Sequence, residues 1–205
     1  MDTVKFFFDF GSPNAYLSHK VIPAIEARTG ATFEYVPVLL GGIFKATGNQ
    51  SPATAFAGIR NKPEYERLET QRFIARHGLS AFRSNPHFPV NTLQLMRGAV
   101  AAQAAGVFET YVEAVYACMW ERGLKMDDAA VFRDALVEAG LPADRLLELS
   151  QTGEVKAGLM ANTEAAVAAG AFGSPSFLVG RELFFGKDRL REVEEEIVRQ
   201  AGTAA

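Results

Sequence analysis

The residues with the clearest chemical potential stand near the N-terminus, in Phe-Phe-Phe-Asp-Phe-Gly-Ser-Pro-Asn-Ala-Tyr over residues 6–16. Three consecutive phenylalanines, Phe6 to Phe8, have the length and aromatic content of a buried strand. Gly11 breaks the run, and Ser12-Pro13 is a helix start, with serine at the cap and proline in the first turn. A strand feeding directly into a capped helix brings the Ser12 hydroxyl to where backbone N–H groups converge and the helix dipole is positive. Such a point suits an anion. Capping by itself accounts for a serine here. The two roles are compatible, because an oxygen that accepts a backbone N–H still has its own proton to give.

In thioredoxin-like proteins this turn carries Cys-x-x-Cys, whose first cysteine is held as a thiolate. Here the four positions read Ser12-Pro13-Asn14-Ala15, with no sulfur at either end. A thiol acting at this turn must come from outside the chain, and glutathione is the obvious carrier. Cys118 is the single cysteine, which leaves no intramolecular disulfide or cysteine metal cluster and fits a reducing compartment, most simply the cytoplasm. In a helical stripe with Met119 and Trp120, it is expected to be a buried apolar residue. His19, His77 and His87 show no spacing for a metal site or a triad, and surface positions are expected for all three.

The 205 residues suit one domain, or one domain with a large insertion. The net charge of −3 is spread over interspersed acidic and basic residues, so neither nucleic acid nor an anionic membrane is an expected partner. No apolar run approaches membrane length, and no leader peptide is expected.

The elements that must position Ser12 follow from periodicity. After Pro13, Leu17, Val21 and Ile25 share one helix face, and Gly30 terminates that helix. Residues 32–38 are rich in β-branched and aromatic types and read as a second strand, giving a right-handed parallel strand–helix–strand unit. Residues 39–63 read as irregular, with glycines at 41, 42, 48 and 58. From Glu64 to about Ala171 nearly everything reads as helix. Tyr111, Val115 and Met119 form one stripe; Phe132, Ala135, Leu136 and Ala139 form another, capped by Asp127 or Asp128; Val155, Leu159 and Asn162 begin a third. Gly173-Ser174-Pro175 closes the helical section. Residues 176–179 and 182–185 read as strands joined by a Gly180-Arg181 turn, and a last helix over about 188–200 turns Leu190, Val193 and Ile197 inward. The expected fold class is α/β: a thioredoxin-like domain over 1–45 and 172–205, interrupted by an all-helical insertion over 46–171.

Four stretches then make the chain resemble the 2-hydroxychromene-2-carboxylate isomerases, relatives of the kappa-class glutathione transferases and of DsbA-like oxidoreductases. They are residues 8–16; Leu-Gly-Gly-Ile-Phe-Lys-Ala-Thr-Gly-Asn (40–49); Pro-His-Phe-Pro-Val-Asn-Thr (86–92); and Gly-Ser-Pro-Ser-Phe (173–177) with Phe-Phe-Gly-Lys-Asp-Arg-Leu (184–190). Each is weak by itself, but together, in the family's order along nearly the whole chain, they are specific.

The resemblance implies a set of roles. Ser12 would hold the glutathione sulfur and favour its thiolate, as a donor and not as a nucleophile. A hydrogen bond to a charged acceptor contributes about 1.5–3 kcal/mol, and the helix terminus about 0.3–1 kcal/mol more. Together these lower a thiol pKa by about 1–3 units. Pro175 matches the cis-proline of thioredoxin-like folds, which exposes the backbone of Ser174 to the cysteinyl backbone of glutathione. Asn49 and Lys62 match positions that relatives use on the tripeptide. Gly186-Lys187-Asp188 would offer backbone N–H groups to the γ-glutamyl carboxylate, and the Asp188 carboxylate to its ammonium, although Asp188 serves equally well as a helix cap. Lys45 matches a lysine placed near the substrate carboxylate, and Asn91 belongs to the same substrate region or caps the helix that follows. Where the best-known isomerases have a tyrosine after this asparagine, this chain has Thr92. The implied activity is a glutathione-dependent isomerisation of an aromatic-degradation intermediate, through transient addition of the thiolate, in a cytoplasmic homodimer. The alternatives are a kappa-type transferase and a redox-inactive thioredoxin-like binding protein.

Overall fold

A computed structural model describes residues 3–203; residues 1, 2, 204 and 205 of the expected thioredoxin-like domain lie outside that range. The run Thr3–Phe8 is strand β1, and helix α1 (Pro13–Thr29) returns the chain to β2 (Thr32–Pro37), parallel to β1 in the register Thr3 to Thr32. Seven helices or turns of helix follow: α2 (Leu40–Thr47), α3 (Pro52–Ala55), α4 (Lys62–His77), α5 (Leu93–Ala105), α6 (Phe108–Trp120), α7 (Ala129–Glu138) and α8 (Ala143–Leu149). Helix α9 (Gly153–Ala168) leads to β3 (Ser176–Val179) and β4 (Glu182–Phe185), both antiparallel to their neighbours. A 3-10 turn (Lys187–Arg189) opens into α10 (Leu190–Thr203). The sheet order is β2-β1-β3-β4, the mixed sheet of a thioredoxin fold, built from both ends of the described chain.

Strand β1 lies centrally and is covered on both faces, which is why its aromatic run is unbroken. Phe6 and Phe8 point to the large core shared by α1, α5, α6 and α10, whereas Phe7 points the other way, to Val38, Ile43, Ala166 and Ala171. The helical stripes expected from the sequence are buried: Tyr111, Val115 and Met119 in α6, Phe132 and Leu136 in α7, Val155 and Leu159 in α9, and Leu190, Val193 and Ile197 in α10. Asp128 caps α7 through the N–H groups of Ala130 and Val131. Gly30 ends α1 at φ +71°, a conformation glycine adopts without strain.

Residues 39–63 depart from the irregular reading, because α2 and α3 lie within them. Two adjacent glycines in α2 cost about 1 kcal/mol each relative to alanine, and tertiary packing outweighs that. A Cβ on Gly42 would lie 3.2 Å from Thr163 of α9, so the glycine allows α2 and α9 to approach closely while Ile43 is buried beside them. Helix α4 also begins two residues earlier than Glu64, at Lys62.

Candidate functional site

The turn after β1 and the loop before β3 meet at Ser12. Its backbone is extended (φ −93°, ψ 112°), as a cap requires, and its Oγ accepts the Ala15 N–H at 3.2 Å. The same hydroxyl donates to the Ser174 carbonyl at 2.9 Å, across 162 residues of sequence. The Ser174–Pro175 peptide is cis, as is Phe88–Pro89. Both serines are buried. The Ser12 proton is therefore engaged with a neutral carbonyl, and an anion at this turn would have to compete with that carbonyl for it. A neutral hydrogen bond contributes about 0.5–1.5 kcal/mol and one to a charged acceptor about 1.5–3 kcal/mol, so a charged acceptor would win that competition.

Beneath Ser12 lies Asp9, fully buried. One carboxylate oxygen accepts the Gly11 N–H at 2.8 Å, the other accepts the Leu40 N–H at 2.8 Å, and the Thr92 hydroxyl adds a third hydrogen bond. Burial pushes the Asp9 carboxyl above its usual range, and the Leu40 and Gly11 N–H groups and Thr92 oppose that rise. The Asp9 main chain is equally engaged: its N–H donates to Ser174 Oγ at 3.1 Å, and its carbonyl accepts the Ser12 N–H at 3.0 Å. A Cβ on Gly11 would lie 3.1 Å from the Thr92 methyl, so Gly11 lets Thr92 close over the turn. Sequence reasoning passed over Asp9 and gave Thr92 no structural role. The available signal was a carboxylate inside an aromatic run, where only a bonded charge can be accommodated.

The remaining expected residues fall into two groups. Gly186 donates its N–H to the Pro175 carbonyl at 3.0 Å, which brings the Gly186-Lys187-Asp188 segment to the cis-proline loop. Asn49 reaches the same loop, donating to the Phe172 carbonyl at 2.7 Å, beside the exposed rings of Phe172 and Phe185, which contact each other at a tilt. Lys187 is not an open cation. Only 3% of its side chain is exposed, its ammonium meets Asp188 Oδ1 at 2.6 Å, and it stands 5.0 Å from the centre of the Phe73 ring of α4. Asp188 itself is largely exposed. The second group does not join that loop. Lys62 pairs with Glu66 and lies over the Phe56 ring; Asn91 Oδ1 accepts the Leu93 N–H at 3.1 Å, a capping contact at the start of α5; Lys45 stands exposed on α2.

His19 contradicts its expected surface position. One ring nitrogen contacts the Tyr35 hydroxyl at 2.9 Å and the other the Glu113 carboxylate at 2.8 Å, and the ring stacks on Tyr116. Spacing could not show this, because the partners come from β2 and α6. Burial, then the charges of Glu26 and Glu113, keep the Tyr35 hydroxyl well above the usual phenol range; burial, then its hydrogen bond to Glu121, do the same for Tyr16. His77 lies exposed at the end of α4 against the Phe73 ring, and His87 is exposed. Cys118 is buried in α6, and that burial pushes its thiol up, which disfavours a thiolate.

A strand-to-helix turn with a capping hydroxyl, set against a cis-proline loop and interrupted by helices, defines a class of thioredoxin-like protein. A family model described as a DSBA-like thioredoxin domain matches residues 3–198, and the chain belongs to that family. Among individual proteins, it is 27% identical over 198 residues to a 2-hydroxychromene-2-carboxylate isomerase of Sphingobium xenophagum, covering 96% of this chain and 98% of that one. It is 26% identical to glutathione S-transferase kappa 1 of Rattus norvegicus, over 91% of this chain and 87% of that one. Among solved structures, that of a 2-hydroxychromene-2-carboxylate isomerase superposes with a TM-score of 0.83 at 23% identity, over 98% of this chain and 97% of that one. Among the described residues, no helix is long and apolar enough to cross a membrane.

Proposed function

We propose that the protein is a glutathione-dependent isomerase of the 2-hydroxychromene-2-carboxylate type. It interconverts an aromatic-degradation hemiketal and its open-chain conjugated ketoacid. The observation that carries this reading is the Ser12 hydroxyl, capping α1 where thioredoxin-like relatives place sulfur and in contact with the cis-proline loop. When bound, glutathione would supply a nucleophilic thiolate and would be regenerated in each turnover.

The chain's own residues supply binding and charge stabilisation. Ser12 turns from the Ser174 carbonyl and donates to the sulfur, with the N-terminus of α1 behind it. That movement frees the Ser174 carbonyl to pair with the cysteinyl backbone, so one hydroxyl rotation prepares two contacts. Gly186 and Pro175, already bonded to each other, hold Lys187 and Asp188 beside the loop. The backbone N–H groups at this helix start receive the γ-glutamyl carboxylate. The Lys187 ammonium occupies one Asp188 oxygen, and the other receives the ligand's ammonium. Asn49 and Lys62 bind the rest of the tripeptide, and Lys45 and Asn91 face the organic substrate. We propose a cytoplasmic homodimer; the single cysteine fits a reducing compartment.

The kappa-type transferase is the second reading, because relatives named kappa transferases match over nearly the whole chain. Stoichiometry separates the two. With 2-hydroxychromene-2-carboxylate as the probe, a catalytic amount of glutathione should sustain many turnovers and be recovered intact. One glutathione consumed per turnover assigns the transferase. Failure of glutathione to raise the melting temperature at 100 times any plausible dissociation constant, where about 2.7 kcal/mol of stabilisation is expected, assigns a redox-inactive binding protein.

A further inference from the structure

Three helix N-termini converge on Asp9. Gly11 leads into α1, Leu40 is the first residue of α2, and Thr92 is the N-cap residue of α5; each donates one hydrogen bond to the Asp9 carboxylate. Neither Leu39 nor Thr92 caps its own helix through its side chain. Asp9 therefore supplies α2 with the cap its sequence lacks, from the C-terminal end of the adjacent parallel strand β1. The carboxylate has no ion-pair partner among the described residues, and its three donors are neutral. Partial positive charge at helix ends takes the place of a cation. Through its backbone Asp9 also holds both members of the serine pair: its carbonyl accepts from Ser12 and its N–H donates to Ser174 Oγ.

We propose that Asp9 is a positioning residue that sets the Ser12 hydroxyl against the Ser174 carbonyl, by tying the starts of α1, α2 and α5 to the cis-proline loop. It touches neither glutathione nor substrate, and the proposal rests on the reading of Ser12 given above. An ionised carboxylate is acceptor-only, and it alone satisfies all three donors. Asparagine matches its shape but must turn an NH2 group toward at least one of them. The Ser12 turn then loses an anchor while the fold keeps its volume.

The test is a double-mutant cycle in which turnover is followed with glutathione and 2-hydroxychromene-2-carboxylate. Asp9→Asn should lower kcat about tenfold or more, the loss expected when a donor to a charged acceptor is misplaced, and leave KM for glutathione within about threefold. In a Ser12→Ala background the same substitution should cost less than about twofold, because the residue through which it acts is gone. Losses that multiply fully in the double variant, or wild-type turnover in Asp9→Asn, overturn the proposal. Should Asp9→Asn fail to fold, Thr92→Val removes one donor without changing shape. A loss of about two- to tenfold that vanishes in the Ser12→Ala background supports the proposal, and full turnover overturns it. A crystal structure of the ligand-free Asp9→Asn or Thr92→Val protein decides the matter independently of glutathione. Loss of the Ser12–Ser174 contact supports positioning even if the wild-type protein turns out not to use the tripeptide, and an unchanged 2.9 Å contact overturns it.

Discussion

Helix α1 carries two polar clusters about two turns apart, and they are built on opposite principles. At its first turn, Ser12, Asp9, Thr92 and Ser174 are almost wholly buried, and neutral backbone donors satisfy the one carboxylate. At His19 and Lys20, α1 meets α6 through a charge-rich cluster of Glu113, Glu121, Tyr16 and Tyr35, with Glu113 itself exposed. The first cluster leaves a hydroxyl with a proton to redirect. The second ties the helix carrying that hydroxyl to the helical section, helped by Trp120, whose indole N–H donates to the Phe10 carbonyl at 2.7 Å. Burial sharpens electrostatics where an anion is to be stabilised, and water screens it where two elements only need to be held. On the role proposed for Ser12, the difference separates chemistry from attachment along a single helix.

The comparison breaks most directly at Ser12. Ser12→Ala removes the proposed donor to the thiolate, and turnover should fall about 10- to 150-fold if that donor contributes about 1.5–3 kcal/mol. The apparent pKa of bound glutathione, followed by thiolate absorbance, should rise by about one to two units. Wild-type turnover with an unchanged thiol pKa would reduce Ser12 to a helix cap.

A smaller effect, on stability alone, is expected at the second cluster. Tyr35→Phe deletes the hydroxyl that meets His19 and should cost about 0.5–1.5 kcal/mol in urea denaturation, with kcat within about twofold of wild type. A kcat loss as large as that of Ser12→Ala would show that the two clusters are not separate.

The smallest effect concerns acid pH. The His19 ring, and then Lys20, hold the Glu113 carboxyl far below the usual carboxylate range, at about 2. A depressed folded-state pKa contributes stability above the unfolded value and loses it as the pH falls through the folded one. Melting temperatures of wild type and Glu113→Gln should therefore differ at neutral pH and converge as the pH drops from about 4.5 toward 2. Because Glu113 is half exposed, the gap should be modest. A gap that widens toward acid would refute the assignment.

The sequence by itself determined the scaffold. The Phe6–Phe8 run, the Ser12-Pro13 cap, the Gly30 stop and the paired strands at 176–179 and 182–185 are set by local steric and hydrogen-bonding preferences, which is why the last two strands coincide with their expected limits. It also marked Ser12 as the cap of α1, since a helix start needs no distant partner. Only the tertiary structure decided what surrounds that serine. Asp9 is bonded by Leu40 and Thr92, which lie 31 and 83 positions away, and His19 by Tyr35 and Glu113. The helix through Gly41 and Gly42 packs closely on α9 at Gly42, against Thr163. Propensity and periodicity act over a few residues. A buried charge is satisfied by whichever groups the fold delivers, and no spacing in the chain encodes that meeting.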